Sequence, residues 1–164
     1  MKVTFKRVST LVQVEEVVKL ADIIWTEHYS PIIGLDQVKY MLDNFQSATT
    51  ISNEIDDENN HYYLIFRNEI AVGYIGIKLE QSSLFLSKIY ILSSERGYGI
   101  GKQSIAFICE FSISKQLEKI TLTVNKHNTN SISAYKNIGF EITGAICTDI
   151  GAGYVMDDYQ MELA

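Results

Sequence analysis

Three closely spaced glycines stand where the chain changes from a β-like to a helical period. Leu84 to Leu92 is an apolar, strand-forming segment. Ser93-Ser94-Glu95 leads from it into Arg96-Gly97-Tyr98-Gly99-Ile100-Gly101-Lys102, and Ile105, Ile108, Cys109 and Ser112 then recur at helical intervals. A strand that feeds a helix through such a loop implies a sheet with helices packed on it. Glycines let the backbone adopt positive φ and approach a ligand closely, so amide N–H groups and the positive end of the helix can converge on phosphate oxygens. The spacing excludes two nucleotide motifs. A Walker loop needs Gly where Arg96 stands, and Ser or Thr where Gln103 follows Lys102; the dinucleotide fingerprint needs its third Gly where Lys102 stands.

The rest of the chain reads as alternating elements without a linker or internal repeat. Val3, Phe5 and Val8 begin a strand, and Thr10 with Gln13 has the spacing of a capping box. A helix follows, its stripe being Val14, Val17, Val18, Ala21, Ile24 and Trp25; it is expected to run out near Trp25, with Pro31 and Gly34 as an interruption. Leu35, Val38, Met41, Leu42 and Phe45 form a second helical pattern, and Ala48, Ile51 and Ile55 a short third one. From His61 the period changes. Segments 61–67, 70–79 and 84–92 are rich in Tyr, Ile, Val and Phe and read as an antiparallel meander. After the glycine loop the pattern gives a helix from about Gly101 to Lys115, a strand at 119–125, a helix at 129–138, and two closing strands flanking Gly151 and Gly153. Residues 1–164 are therefore expected to form one domain around a mixed sheet.

Composition narrows the partners. With 46% hydrophobic and 21% charged residues the chain has the balance of a globular protein. No apolar run approaches the ~18 residues a membrane helix needs, and the cytoplasm is the default expectation. A net charge of -6, with no Lys/Arg cluster, argues against nucleic acid and mildly favours a cationic acceptor. The acidic run Glu54, Ile55, Asp56, Asp57, Glu58 could attract such a molecule, but a run this short reads first as a solvated turn. Cys109 and Cys147 lie far apart in apolar stretches with no metal-ligand spacing, so they read as buried, inert thiols, and no metal site is expected.

A second motif gives the glycine loop its meaning. Arg96-Gly97-Tyr98-Gly99-Ile100-Gly101 fits Arg/Gln-x-x-Gly-x-Gly/Ala. One helix and one strand later the chain carries Asn128, Ser131, Tyr135, Gly139 and Phe140, fitting Asn-x-x-Ser/Ala-x-x-x-Tyr-x-x-x-Gly-Phe. The pair of motifs resembles the GNAT superfamily of acetyl-CoA-dependent N-acetyltransferases. The resemblance runs along nearly the whole chain and is nearest to a bacterial subgroup of uncharacterised members, judged from Leu84 to Tyr90 and Gly153 to Tyr159.

The resemblance implies an α/β (mixed α+β) fold: one mostly antiparallel sheet of about seven strands, helices on both faces, and a splayed parallel strand pair at the cofactor cleft. It implies acetyl-CoA as co-substrate and an amine as acceptor, and it allows a homodimer. The pyrophosphate would lie on Arg96, Gly97, Tyr98, Gly99, Ile100, Gly101 and Lys102. The pantetheine would run along Ile89, Tyr90 and Ile91, with Asn128 and Ser131 beside it and the Ile91 N–H facing the thioester oxygen. Tyr135 would be the general acid that protonates the departing thiolate. The family's usual acceptor wall falls on Trp25, His28 and Tyr29.

The general base is left open. A primary amine of pKa about 10.4 needs ~4.6 kcal/mol to shed its proton at pH 7, so a group or a water must take it. Many members carry a Glu on the strand before the loop, where Phe85 and Ser87 stand here. Glu27, His28, Asp157, Asp158 and a bound water remain. Neither Cys has an activating neighbour in sequence, which favours direct transfer over an acetyl-enzyme. Two rival readings share the motifs: a non-catalytic acetyl-CoA-binding module of the same fold, and a nucleotide-phosphate-binding α/β protein.

Overall fold

The computed structural model describes residues 2–164. After β1 (Val3–Arg7), the capping box at Thr10 starts α1 (Leu11–Ile33): Thr10 Oγ1 accepts from the Gln13 amide at 3.3 Å, and Gln13 Oε1 accepts from the Thr10 amide at 3.1 Å. Val14, Val17, Leu20, Ala21, Ile24 and Trp25 bury one stripe of α1 against the sheet. The helix does not stop near Trp25. It continues through Pro31, and Gly34, at φ 88°, ends it. Pro31 sits in the last turn, where its missing N–H leaves only the Glu27 carbonyl without a helical partner, and the Tyr29 ring packed edge-on against Trp25 and Tyr90 holds that turn in place. The added turns carry His28 and Tyr29 over the sheet.

Short helices α2 (Leu35–Phe45) and α3 (Ala48–Asp56) pack beside α1, and the acidic run is only partly a turn, since Glu54, Ile55 and Asp56 belong to α3. The meander is β2 (Asn60–Arg67), β3 (Ile70–Leu79) and β4 (Ser83–Ile91). A single 3₁₀ turn and the glycine loop lead to α4 (Ile100–Ser114), followed by β5 (Lys119–Asn125), α5 (Thr129–Ile138) and the hairpin of β6 (Glu141–Gly151) and β7 (Tyr154–Leu163). The seven strands form one sheet in the order β1-β2-β3-β4-β5-β7-β6, antiparallel except between β4 and β5. Two apolar cores cover its faces. Val17, Ile24, Tyr62, Leu64 and Tyr74 belong to the core under α1–α3; Ile75, Leu86, Ile105, Ile108, Ile132 and Phe140 belong to the core under α4 and α5. Among the described residues no helix is long and apolar enough to cross a membrane.

The parallel pair opens the sheet. Pairing runs only from Ser83↔Lys119 to Phe85↔Thr121, after which β4 and β5 part. A bulge lies at the point of parting: Ile77 faces Leu86 and Gly76 faces Lys88, so Ser87 is an extra residue on β4. Side chains alternate along a strand, so one inserted residue inverts the faces of everything after it. Leu84 and Leu86 point into the α4–α5 core, and beyond the bulge Ile89 and Ile91 do so, leaving Lys88 and Tyr90 on the α1–α3 face. Gly76 permits this: a Cβ there would lie 3.0 Å from Ser87 Oγ and 3.3 Å from Lys88 Cβ.

Candidate active site

The parted strands enclose a cavity of about 870 Å³ that runs from the glycine loop and α5 on one face of the sheet to α1, α2 and α3 on the other. Its floor is backbone. The Leu92 amide donates to the Val72 carbonyl at 2.9 Å, and in an antiparallel ladder alternate residues turn their N–H and C=O to the same neighbour. Tyr90 and Leu92 therefore bond to β3, and the amide groups of Ile89 and Ile91 face the gap that β5 has left.

The glycine loop closes one end. Gly97 at φ 86° and Gly99 at φ 76° both lie in the left-handed region, and a Cβ on either would meet nothing within 4 Å. Conformation, not crowding, demands glycine at these two places. Gly99 is the N-cap of α4 and brings no side-chain cap, so the first-turn amides stay open toward the cavity. Arg96 and Lys102 stand on the rim as exposed cations. Arg67 and Glu95 anchor the loop from behind by a two-point ion pair, Arg67 Nη2 donating to Glu95 Oε1 at 3.0 Å. The same guanidinium lies 5.7 Å from the Tyr98 ring and holds it outside the cavity wall.

Tyr135, on α5, lines the cavity and packs edge-on against Phe140, with ring centres 5.5 Å apart. Burial pushes its phenol well above the usual value, so the hydroxyl keeps its proton. Asn128 caps α5 with its Oδ1, accepting from the Ser131 amide at 3.4 Å, which leaves its Nδ2 to donate to His28 Nε2 at 3.0 Å. An amide nitrogen only donates, so this His28 nitrogen carries a lone pair and no proton. Burial and the positive charge of Arg96 both lower the His28 pKa, consistent with a neutral ring already engaged as an acceptor.

Asp158, on β7 opposite Asn125, borders the cavity and is 5% exposed. Burial first, then the charge of Asp157, raise its pKa to about 6, against the pull of Lys126. Asp157 faces the other way and pairs with Lys126 at 2.9 Å. Glu27 is exposed, accepts from Ser93 Oγ at 2.9 Å, and is not part of the wall. The aromatic wall expected from Trp25 and Tyr29 is present and joined by Tyr90: the Tyr29 and Tyr90 hydroxyls are 3.0 Å apart, and Trp25 lies 5.4 Å from the Tyr90 ring.

Of the candidate site residues named from the sequence, all but Tyr98, Glu27 and Asp157 border this one cavity. Lys88, which sequence reasoning missed, and Glu54, which it named only as part of an acidic run, also line it. Glu54 stands one turn beyond Ile51 on α3, so the helical spacing of Ala48 and Ile51 held the signal for it. No sequence signal marked Lys88, because the Ser87 bulge decides which face it takes. Of the two positions where many members carry a Glu, Ser87 lines the cavity and Phe85 does not, while Lys88 and Tyr90 beside them face α1–α3.

Comparison with solved structures shows the same fold. The PaiA N-acetyltransferase of Thermoplasma acidophilum, in complex with coenzyme A, is 20% identical, with a TM-score of 0.85 over 99% of this chain and 98% of that one. The ribosomal-protein-S18-alanine N-acetyltransferase of Escherichia coli is 13% identical, with a TM-score of 0.73 over 99% and 93%. Arabidopsis thaliana Naa50, in complex with the bisubstrate analogue CoA-Ac-MVNAL, is 22% identical, with a TM-score of 0.65 over 100% and 99%. The profile of the acetyltransferase (GNAT) family matches residues 18–140, which hold the glycine loop, the splayed strands and Tyr135, and the chain belongs to that family.

Proposed function

We propose that the protein transfers an acetyl group from acetyl-CoA to a primary amine of a small molecule or peptide, directly and within a ternary complex. One observation carries this reading: the gap between β4 and β5 joins an open, glycine-built helix end to a buried phenol and a buried carboxylate in a single cavity. The Thermoplasma relative holds coenzyme A and the Arabidopsis relative holds an analogue of both substrates together, which supports reading the cavity as a cofactor arm and an acceptor chamber meeting at the gap.

The residues present suit such a ligand. Open first-turn amides of α4, with Arg96 and Lys102, would hold a diphosphate, and the unpaired edge of Ile89 and Ile91 would hold the amide-rich pantetheine arm. Acetyl-CoA supplies an acyl group activated as a thioester. Asp158, ionised above pH ~6, takes the proton of the incoming ammonium, since Glu27, His28 and Asp157 are each turned away or engaged. The amine nitrogen bonds to the carbonyl carbon, the C–S bond breaks, the Tyr135 hydroxyl gives its proton to the sulfur, and the second proton that the nitrogen sheds as it becomes an amide restores the phenol. Burial raises the phenol's pKa, but the same apolar surroundings raise the thiolate's affinity for a proton, so the two effects offset. The Ile91 N–H is turned to stabilise negative charge on the carbonyl oxygen. Cys147 is exposed on β6, burial raises the Cys109 thiol, and neither borders the cavity, which supports transfer without an acetyl-enzyme.

Thiol release from acetyl-CoA, followed with a panel of amines, tests the proposal. Release that depends on the amine supports it. A purified protein that binds acetyl-CoA and acetylates none of the panel would be read as a binding module instead.

A further inference from the structure

Among the described residues, one cation at the α1–α3 end of the cavity has no carboxylate within ion-pair distance. Lys88 is turned onto the α1–α3 face by the Ser87 bulge and lines the chamber with Glu54 of α3 and Thr50. No carboxylate among the described residues approaches its ammonium within 4.0 Å. Its near contact is the ring of Tyr62, 5.5 Å from Nζ. A half-buried ammonium facing aromatic rings loses hydration that a cation–π contact only partly returns.

Glu54 is in the opposite condition. A directional chain ends on it: Tyr74 donates to Gln46 Oε1 at 2.8 Å, Gln46 Nε2 to the Tyr62 hydroxyl at 3.1 Å, and Tyr62 to Glu54 Oε1 at 3.2 Å. Its anion is thus stabilised from its own side; burial lowers the Lys88 pKa, and the charge of Glu54 offsets part of that loss. Of the two groups, the ammonium is the one whose donors remain for a ligand.

Resting on the acetyl-transfer reading, we propose that the amine acceptor carries a carboxylate at the end remote from its reacting nitrogen, and that Lys88 binds it. The strand rise of ~3.3 Å per residue puts Lys88 ~7 Å along β4 from Tyr90 and ~10 Å from Ile91. An acceptor with about four to six bonds between nitrogen and carboxylate, ~5–8 Å extended, spans that distance once a hydrogen bond of ~3 Å at each end is counted, its amine toward the gap and its carboxylate on the ammonium. A diamine of the same length meets Lys88 as a like charge, with Glu54 merely cancelling the repulsion.

The chain has one tryptophan, Trp25, and it lies in the chamber wall, so its fluorescence reports acceptor binding without turnover. The protein, first titrated with CoA and then held saturated, is titrated with 5-aminopentanoate, 1,5-diaminopentane and pentylamine. The expected result is binding of 5-aminopentanoate about tenfold or more tighter than either of the others. Lys88→Gln should abolish that preference with CoA affinity unchanged, and Lys88→Glu should move it to the diamine. Equal binding of the three amines, a preference for the diamine, or a carboxylate preference that survives Lys88→Gln overturns the assignment while leaving acetyl transfer intact. Absence of CoA binding in the first titration strikes the acetyl-transfer reading instead, and the amine titrations, repeated without CoA, still decide the role of Lys88.

Discussion

Replacing Asp158 with Asn should make the protein more stable near neutral pH while removing its proton acceptor. The folded-state pKa of about 6 lies above the ordinary carboxylate value of 3.8. A group raised in this way holds its proton longer in the folded than in the unfolded chain. Between pH ~4 and ~6 the folded state therefore binds more protons, and stability attributable to this group falls as pH rises through that window. Above pH ~6 the loss is complete. A shift of roughly 2 units corresponds to ~3 kcal/mol, and because the carboxylate borders an open cavity, solvent screening cuts the expected figure to ~1 kcal/mol. For a chain of this size that is roughly 2–4 °C in melting temperature. Melting curves of the native protein and Asp158→Asn, taken from pH 4 to pH 8, should coincide at the acid end and separate toward neutrality with Asn the higher. A variant less stable than the native protein at pH 7.5, or an offset that does not change with pH, would refute the view of Asp158 as a desolvated, unpaired carboxylate.

Other expectations concern the Tyr135 phenol and the loop. Tyr135→Phe should lower kcat by ~10² to 10⁴ with little change in CoA affinity, since only a proton donor is lost; single-turnover kinetics beside a binding titration separates the two. Gly99→Ala places a Cβ in the left-handed region with open space around it, so chemical denaturation should register ~1 kcal/mol of strain, and CoA affinity should fall as the loop shifts to relieve it. Arg67→Met frees Glu95, a carboxylate on the cavity wall, to repel a diphosphate; KM for acetyl-CoA should rise several-fold, and Arg67→Met with Glu95→Gln should recover most of the loss.

Much of the architecture is written in local pattern. The capping box at Thr10, the stripe from Val14 to Trp25, the three aromatic-rich strands and the glycine loop each follow from spacing along the chain, because helix and strand periods depend on nearest neighbours. The two motifs that mark the cofactor side, Arg96–Gly101 and Asn128–Phe140, are likewise contiguous, so the family was legible before any coordinates. Pro31 shows where local rules yield: by itself it argues for a helix end, yet aromatic packing from Tyr90 carries α1 past it.

The acceptor side was decided by tertiary structure. Its wall joins α1, α2, α3, β4 and β7, elements separated by more than a hundred residues, and no short pattern records which side chains of distant strands meet. Asp158 and Asp157 are adjacent and alike in sequence, but pairing of β7 between β5 and β6 sends one into the cavity and the other to Lys126. Lys88 faces the α1–α3 side of the cavity only because one extra residue at Ser87, accommodated over Gly76, inverts the alternation of β4. Sequence alone determined the elements and the glycine loop, since both are local; the charges that line the α1–α3 side of the cavity were set by register, which is a property of strands in pairs.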